Sequence, residues 1–264
     1  MRPLSEFPAS ACSEIRIILS DIDDTLTTNG QLPAASLAAM EALSEAGFIL
    51  IPVTGRPAGW CDHIARMWPV HAVVGENGAF YFSYDRARRK MRTIYAKTDQ
   101  QRSQDRRRLD QLRGHILKSV PGAGVASDQA YRVADLAIDF CEDVVPLPVD
   151  QIERIVALFK QAGATAKVSS IHVNGWFGDY NKLGMTQRCV QELFKVNLIE
   201  QNHSAIFIGD SPNDAPMFAF FKHSVGVANV HDFALATPPQ WVTRKKSAAG
   251  FIEFADFLLQ AGKV

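Results

Sequence analysis

The sequence predicts an α/β fold: a parallel sheet core carrying an inserted α+β domain. Three observations lead there. Short apolar runs alternate with helical patterns up to about residue 74, which makes a parallel sheet covered by helices. The same alternation resumes near Lys182. Between the two stretches lies a block whose strands and helices follow another order. The core is therefore expected to be discontinuous, from 1–84 and 181–264, with a cap at 85–180. A chain of 264 residues suits two domains at roughly 150 residues each.

The elements follow in order. Ile15 to Ser20 is a β-branched run ending in Asp21-Ile22-Asp23-Asp24-Thr25, a buried strand that stops at polar residues. Pro33 to Ala46 carries Ala and Leu at helical spacing, with Gly47 at the position after the helix end. Phe48 to Val53 is a second strand, closed by Thr54-Gly55-Arg56-Pro57; Pro57 suits the first turn of a helix reaching Trp68. His71 to Val74 is a third strand. Residues 85–113, with eleven Lys or Arg against four Asp, predict a solvated helix with polar flanks. In the insert, Tyr131 to Phe140, Ala164 to Ser169 and Ile171 to Trp176 read as strands. Asp150 to Ala162 is an amphipathic helix. Leu183 to Phe194 and Ala248 to Leu259 are helices of the second core segment, and Ser204 to Ile208, Ser224 to Val227 and Trp241 to Thr243 are its strands.

Composition removes several classes. The 28 basic and 28 acidic side chains cancel, which argues against a dedicated nucleic-acid binder. No stretch has 18 uninterrupted apolar residues, so no membrane span is expected. The opening MRPLSEFPASACSEIR has no apolar secretory core. Cys12, Cys61, Cys141 and Cys189 form no C-x-x-C pair and read as thiols of a reducing cytoplasm. A cytoplasmic protein, monomer or homodimer, is the expectation.

Four polar features fall at or after strand ends: Asp21-x-Asp23, Thr54, Lys182, and Asp210-x-x-Asn213-Asp214. In an open α/β sheet that edge is where ligands bind. Carboxylates that converge there repel one another, and a divalent cation resolves the conflict. Lys182 adds positive charge and Thr54 a hydroxyl. Such a set suits a negatively charged, multi-oxygen group in transfer, as in phosphoryl chemistry.

The motifs ILSDIDDTLT (18–27), IPVTGRP (51–57), Lys182 in GDYNKLG and IFIGDSPNDAPMF (206–218) occur in one order. In these the chain resembles the haloacid dehalogenase (HAD) superfamily of phosphatases, with a Rossmann-like core. The insert, falling between the second motif and the lysine, is similar to the type two cap of subclass B, the Cof-like and sugar-phosphatase branch. The resemblance implies that Asp21 is the nucleophile and Asp23 the acid and base. It implies Thr54 and Lys182 on the phosphoryl oxygens. Magnesium would be held by Asp21, the Asp23 carbonyl and Asp210, with Asp214 a further ligand or a group supporting the ligands. Gly55, Arg56, Asn77 and Asn213 become candidates for binding substrate or phosphate. One departure stands out: Asp24 occupies a position where many of that branch have Gly.

Each motif has a plainer reading alone. Asp-x-Asp-x-Thr is common in turns, and Arg56 and Asn77 suit a surface ion pair and a turn. Four motifs in order, on strand ends, favour the site. In the insert, Ser170, His172, Asn174 and Trp176 alternate along one strand and share a face. Ser170, His172 and Asn174 are candidates for recognising a polyol if that face looks onto the core; a face packed under a cap helix or open to solvent is the alternative. The expected activity is hydrolysis of a small phosphorylated metabolite, a sugar or polyol phosphate. The alternatives are a phosphomutase of the same superfamily and a catalytically silent binding module.

Overall fold

The computed structural model describes residues 1–169 and 171–261, so the candidate Ser170 lies outside the described residues. The central sheet has six parallel strands in the order Arg2–Pro3, Trp241–Val242, His223–Gly226, Ala205–Gly209, Ile17–Ser20 and Ile49–Pro52. The α/β class with a parallel central sheet is as the sequence predicts. Strand Ile17–Ser20 lies between a partner from each end of the chain. Ser20 sits level with Pro52 on one side and Ile208 on the other. That register brings residues 21, 54 and 210 to one edge.

Apolar side chains alternate across this sheet. Ile18, Leu50 and Ile208 face a cluster built with Met40, Leu43, Ile64, Phe251 and Phe254. Ile17, Leu19, Ile51 and Phe207 face Met185, Cys189, Val190, Met217 and Phe218. Helices Ala34–Glu45, Ala58–Met67 and Ser247–Ala261 thus cover one face, and Lys182–Phe194 and Ala215–Phe220 the other. No described helix is long and apolar enough to cross a membrane.

The basic segment departs from expectation. Its first part is not helical: Lys90–Tyr95 pairs antiparallel with Phe80–Asp85, which pairs with Val73–Gly75. Met91 and Tyr95 pack on one core cluster and Ile94 on the other, and Phe80 stacks on Phe82 at 4.3 Å. Sparse apolar residues at strand spacing, among exposed arginines, hid this hairpin from helical counting. The expected boundary at residue 85 falls inside it. The helix starts later, at Asp99–Ser119, where Thr98 and Gln101 form a reciprocal N-terminal cap.

The inserted block has its own apolar cluster. Helices Asp99–Ser119 and Val149–Gln161 pack Leu109, Leu112, Ile116, Ile155, Leu158 and Phe159 on one face of a four-stranded antiparallel sheet. Leu136, Ile138 and Val173 point to that side. Neighbours along the same strands, His172 and Asn174, therefore point to the other.

The start of helix Lys182–Phe194 is fixed twice. Asn181 accepts from the Gly184 N–H at 2.9 Å, a side-chain cap. Gly78, at φ +101°, lies so close that a Cβ would run into the Asn181 carbonyl. Gly78→Ala combines backbone strain with that collision and is expected to cost roughly 3 kcal/mol. Thermal unfolding checks it; an unchanged midpoint would show that the approach is not obligatory.

Candidate active site

Asp21 follows the strand Ile17–Ser20, and its N–H donates to the Ile208 carbonyl at 2.9 Å. Asp210 follows Ala205–Gly209. Asp214 ends the short turn Pro212–Asp214 and turns back on the sheet. Its Oδ2 accepts from the Asp210 N–H at 3.2 Å. Only a glycine at 209 allows this, because any Cβ there would strike the Asp214 carboxylate. Oxygens of Asp21, Asp210 and Asp214, all buried, lie within 4.8 Å of one another.

Lys182, the first residue of its helix, reaches into the cluster. Its Nζ donates to Asp21 Oδ1 at 2.6 Å and to Asp214 Oδ1 at 3.1 Å. Burial alone pulls the ammonium down, but Asp21 and Asp214 outweigh it and raise it above the ordinary range. One ammonium cannot balance three carboxylates. Burial, then the charges of Asp214 and Asp23, push Asp21 up to about 8 against the pull of Lys182. Burial, then Asp21 and Asp214, push Asp210 to about 9. An all-oxygen, over-charged cluster of this kind fits a hard divalent cation such as magnesium, which removes the repulsion that raises these groups.

The loop after the first strand is shaped by polar contacts. Thr25, fully buried, donates to Asp210 Oδ1 at 3.5 Å and so braces it. Asp24 adopts φ +53°, a conformation that favours glycine, which accounts for glycine being common there in the branch the sequence resembles. An Asp is also tolerated in that region. Here its carboxylate accepts from the Asn29 N–H at 3.2 Å, and Thr27 accepts from the Asp24 N–H at 3.0 Å.

Asp23 points away from the acidic cluster, toward Arg56. The guanidinium meets it through Nη2 at 2.6 Å and Nε at 3.0 Å, and stacks over Trp60 at 4.4 Å. Thr54 is fully buried; its N–H donates to the Val74 carbonyl and its Oγ1 accepts from the Arg56 N–H at 3.0 Å. Asn77 sits at φ +55°, packs on Gly55, and donates its N–H to the Thr54 carbonyl. Arg56 and Asn77 therefore serve as ion-pair and turn residues while also lining the cleft. Asn213 accepts from the Ser211 hydroxyl at 3.3 Å.

A cleft of about 770 Å³ opens over these groups. Asp21, Asp23, Gly55, Arg56, Asn77, Asp210 and Asn213 line its core side. His172 and Asn174 line its cap side, so the shared strand face looks onto the core. Trp176 does not reach the cleft; it stacks on Tyr180.

Three residues of the cap–core junction escaped the sequence reading. Glu76, fully buried, accepts from the N–H groups of Ala58 (2.9 Å), Val133 (2.9 Å), Ala134 (2.6 Å) and Asp135 (3.2 Å). Burial and Asp135 push it up to about 8, against the pull of the Val133 and Ala134 donors. Arg132 donates to the Gly55 carbonyl at 3.2 Å and to both oxygens of Asp135 at 3.1 Å. The only signal was an acid between glycines in Gly75-Glu76-Asn77-Gly78; Arg132 and Asp135 gave none.

Buried carboxylates thus converge on one lysine at the carboxyl edge of a parallel sheet. Residues 18–104 match the family model of the haloacid dehalogenase-like hydrolases, the group that the motifs resemble. No curated protein matches the sequence. Among solved structures, a HAD/COF-like hydrolase from Plasmodium vivax is 17% identical with a TM-score of 0.67, covering 96% of this chain and 98% of that one. A sugar phosphatase of HAD subclass IIB is 12% identical, TM-score 0.64, over 92% and 98%. The sucrose-phosphatase of Synechocystis sp. PCC6803, solved with sucrose and phosphate, is 18% identical, TM-score 0.62, over 92% and 97%. At these identities the likeness speaks for the fold.

The raised acids make stability depend on pH. Asp21 and Asp210 keep protons in the fold up to about 8 and 9, whereas the unfolded chain releases them near the ordinary value of 3.8. Stability without metal therefore falls as pH rises across that window. In chelator, the unfolding midpoint is expected to be lower at about pH 8.5 than at about pH 5.5, and magnesium to raise it more at the higher pH. A midpoint at the higher pH that ignores magnesium would count against the cation site.

Proposed function

We propose that this chain is a magnesium-dependent phosphatase that hydrolyses a small phosphorylated metabolite, a sugar or polyol phosphate, through an aspartyl phosphate. The observation that carries this reading is Lys182 held between Asp21 and Asp214 beside Asp210. The fold likeness to sugar phosphatases supports the substrate class. We also take the protein to be cytoplasmic, with 1–84 and 181–264 as catalytic core and 85–180 as cap.

In this reading Asp21 attacks phosphorus. Lys182 keeps the Asp21 oxygen oriented and offsets its charge, and with the buried Thr54 hydroxyl it binds the transferred oxygens. Asp21, Asp210 and Asp214, with the Asp23 carbonyl, would hold magnesium, which supplies the positive charge that offsets the phosphoryl group. Arg56 fixes the carboxylate of Asp23. Protonating the leaving oxygen requires an Asp23 oxygen released from the guanidinium once that oxygen arrives. The same carboxylate then takes a proton from the water that opens the intermediate. The cap excludes other water and selects the leaving group.

Asp21→Asn keeps the size of the side chain and its contact with Lys182 but removes the nucleophile. Phosphate release from every ester is expected to drop by about 10⁴-fold or more, with the circular dichroism spectrum retained. Substantial turnover by this variant would overturn the aspartyl-phosphate route.

A further inference from the structure

The cap wall holds a side chain whose orientation is dictated from beneath. Asn174 lies on the strand His172–Trp176, level with Ala137 on one neighbouring strand and Lys167 on the other. It is buried, yet lines the cleft. Its Nδ2 donates to Asp135 Oδ2 at 3.1 Å. Asp135 is fully buried, and a buried carboxylate requires donors. Those donors are the Arg132 guanidinium, at 3.1 Å to each oxygen, and the Asn174 amide. An amide turned the other way would set its oxygen against that carboxylate. The nitrogen of Asn174 is thereby committed downward, and its carbonyl oxygen is left on the cleft side.

The lock is rigid along its length. Arg132 is gripped by Asp128 through Nε and Nη2 at 2.9 and 3.0 Å, and ties to the Gly55 carbonyl. The Asp135 N–H is held by Glu76. Among the described residues no donor reaches Asn174 Oδ1. Beside it stands a second acceptor: Glu142, whose Oε2 lies 2.9 Å from His172 Nε2 while the side chain stays 38% exposed. The turn bearing Glu142 is fixed by Asp139, which accepts from the N–H groups of Cys141, Glu142 and Asp143. The cations nearby are mostly spent: Arg56 on Asp23 and Arg132 on Asp128 and Asp135. Exposed Lys167 stands alone against Glu142 and Asp24.

We propose that Asn174 is a specificity-determining residue, its carbonyl oxygen fixed toward the cleft by Asp135 and Arg132 so that it accepts a hydrogen bond from a hydroxyl or amino group of the leaving group. The inference rests on the phosphatase reading and sharpens it. A wall of fixed acceptors selects a donor-rich leaving group and rejects one carrying a carboxylate or a second phosphate. Such a leaving group would bring unpaired acceptors together in a partly desolvated place.

The test compares kcat/KM for a neutral polyol or hexose monophosphate with that for phosphoglycerate and a hexose bisphosphate, in magnesium. Wild type is expected to favour the neutral leaving groups at least tenfold. Asn174→Ala should bring that ratio toward one, mainly through KM on the polyol ester. Asp135→Asn frees the Asn174 amide to turn and should shift preference toward the acidic esters. If Asp135→Asn does not fold, Asn174→Ala still decides. A wild type that prefers the acidic esters, or an Asn174→Ala ratio equal to wild type, would overturn the proposal. Hydrolysis of p-nitrophenyl phosphate by wild type separates the two readings. Its absence sinks the phosphatase assignment itself, whereas its presence without polyol preference sinks only the role of Asn174.

Discussion

The structure is organised around a charge imbalance that it buries on purpose of function. Asp21, Asp210 and Asp214 converge with only Lys182 for company, so three negative charges meet one positive charge. The formal excess of two negative charges equals the charge of one divalent cation. Such crowding is costly in a low-dielectric place, which is why the first two acids hold protons so far above their ordinary range. Everything that makes the crowding possible is local. The strand register aligns Ser20 with Ile208, Gly209 leaves room for Asp214, and Thr25 pins Asp210. A side chain on Gly209 or a shift of one residue in the register would disperse the cluster.

A second buried acid governs the relation between the two units. Glu76 gathers one N–H from the helix at Ala58 and three from the segment 133–135. Four donors on one carboxylate tie these segments together in addition to the covalent linkers. The joint lies against the loop Thr54–Gly55–Arg56, because the Glu76 N–H donates to the Arg56 carbonyl and Arg132 holds Gly55. The inserted block and this loop therefore share an anchor.

Much of this was legible in the residues, for a physical reason. Strand ends that carry acids break an apolar run abruptly, so Asp21, Asp23 and Asp210 stand out wherever the sheet is buried. Lys182 was found through its motif, which also holds its Asn181 cap, while the close approach of Gly78 that fixes it lies outside that motif. The hairpin at 80–95 was not legible, since its arginines mask an alternation of only a few apolar residues. Arg132, Asp135 and Glu76 were invisible for a different reason. Arg132 also pairs locally with Asp128 and Asp135, but the contacts that join the two units link segments far apart in the chain: Arg132 meets Gly55 across 77 residues and Ala134 meets Glu76 across 58. Local pattern carries no record of such a pairing.

Asp23 shows how the two buried centres divide the chemistry. The crowded cluster raises Asp21 and Asp210, while Asp23, two residues away, is turned out of it and fastened to Arg56. Directly after Asp23, Asp24 takes up a left-handed conformation. Two carboxylates that shared one environment would compete for one proton and one role. Set in different environments, they can take the separate roles that the proposed function assigns them, Asp21 as nucleophile and Asp23 as acid and base. Arg56 belongs to the loop that the cap holds through Arg132 and Gly55. Asp23, to which the proposed function gives the proton transfer, is thus tied to the inserted block as well as to the core, so a change that loosens that block should be felt at Asp23 before it is felt at Asp21.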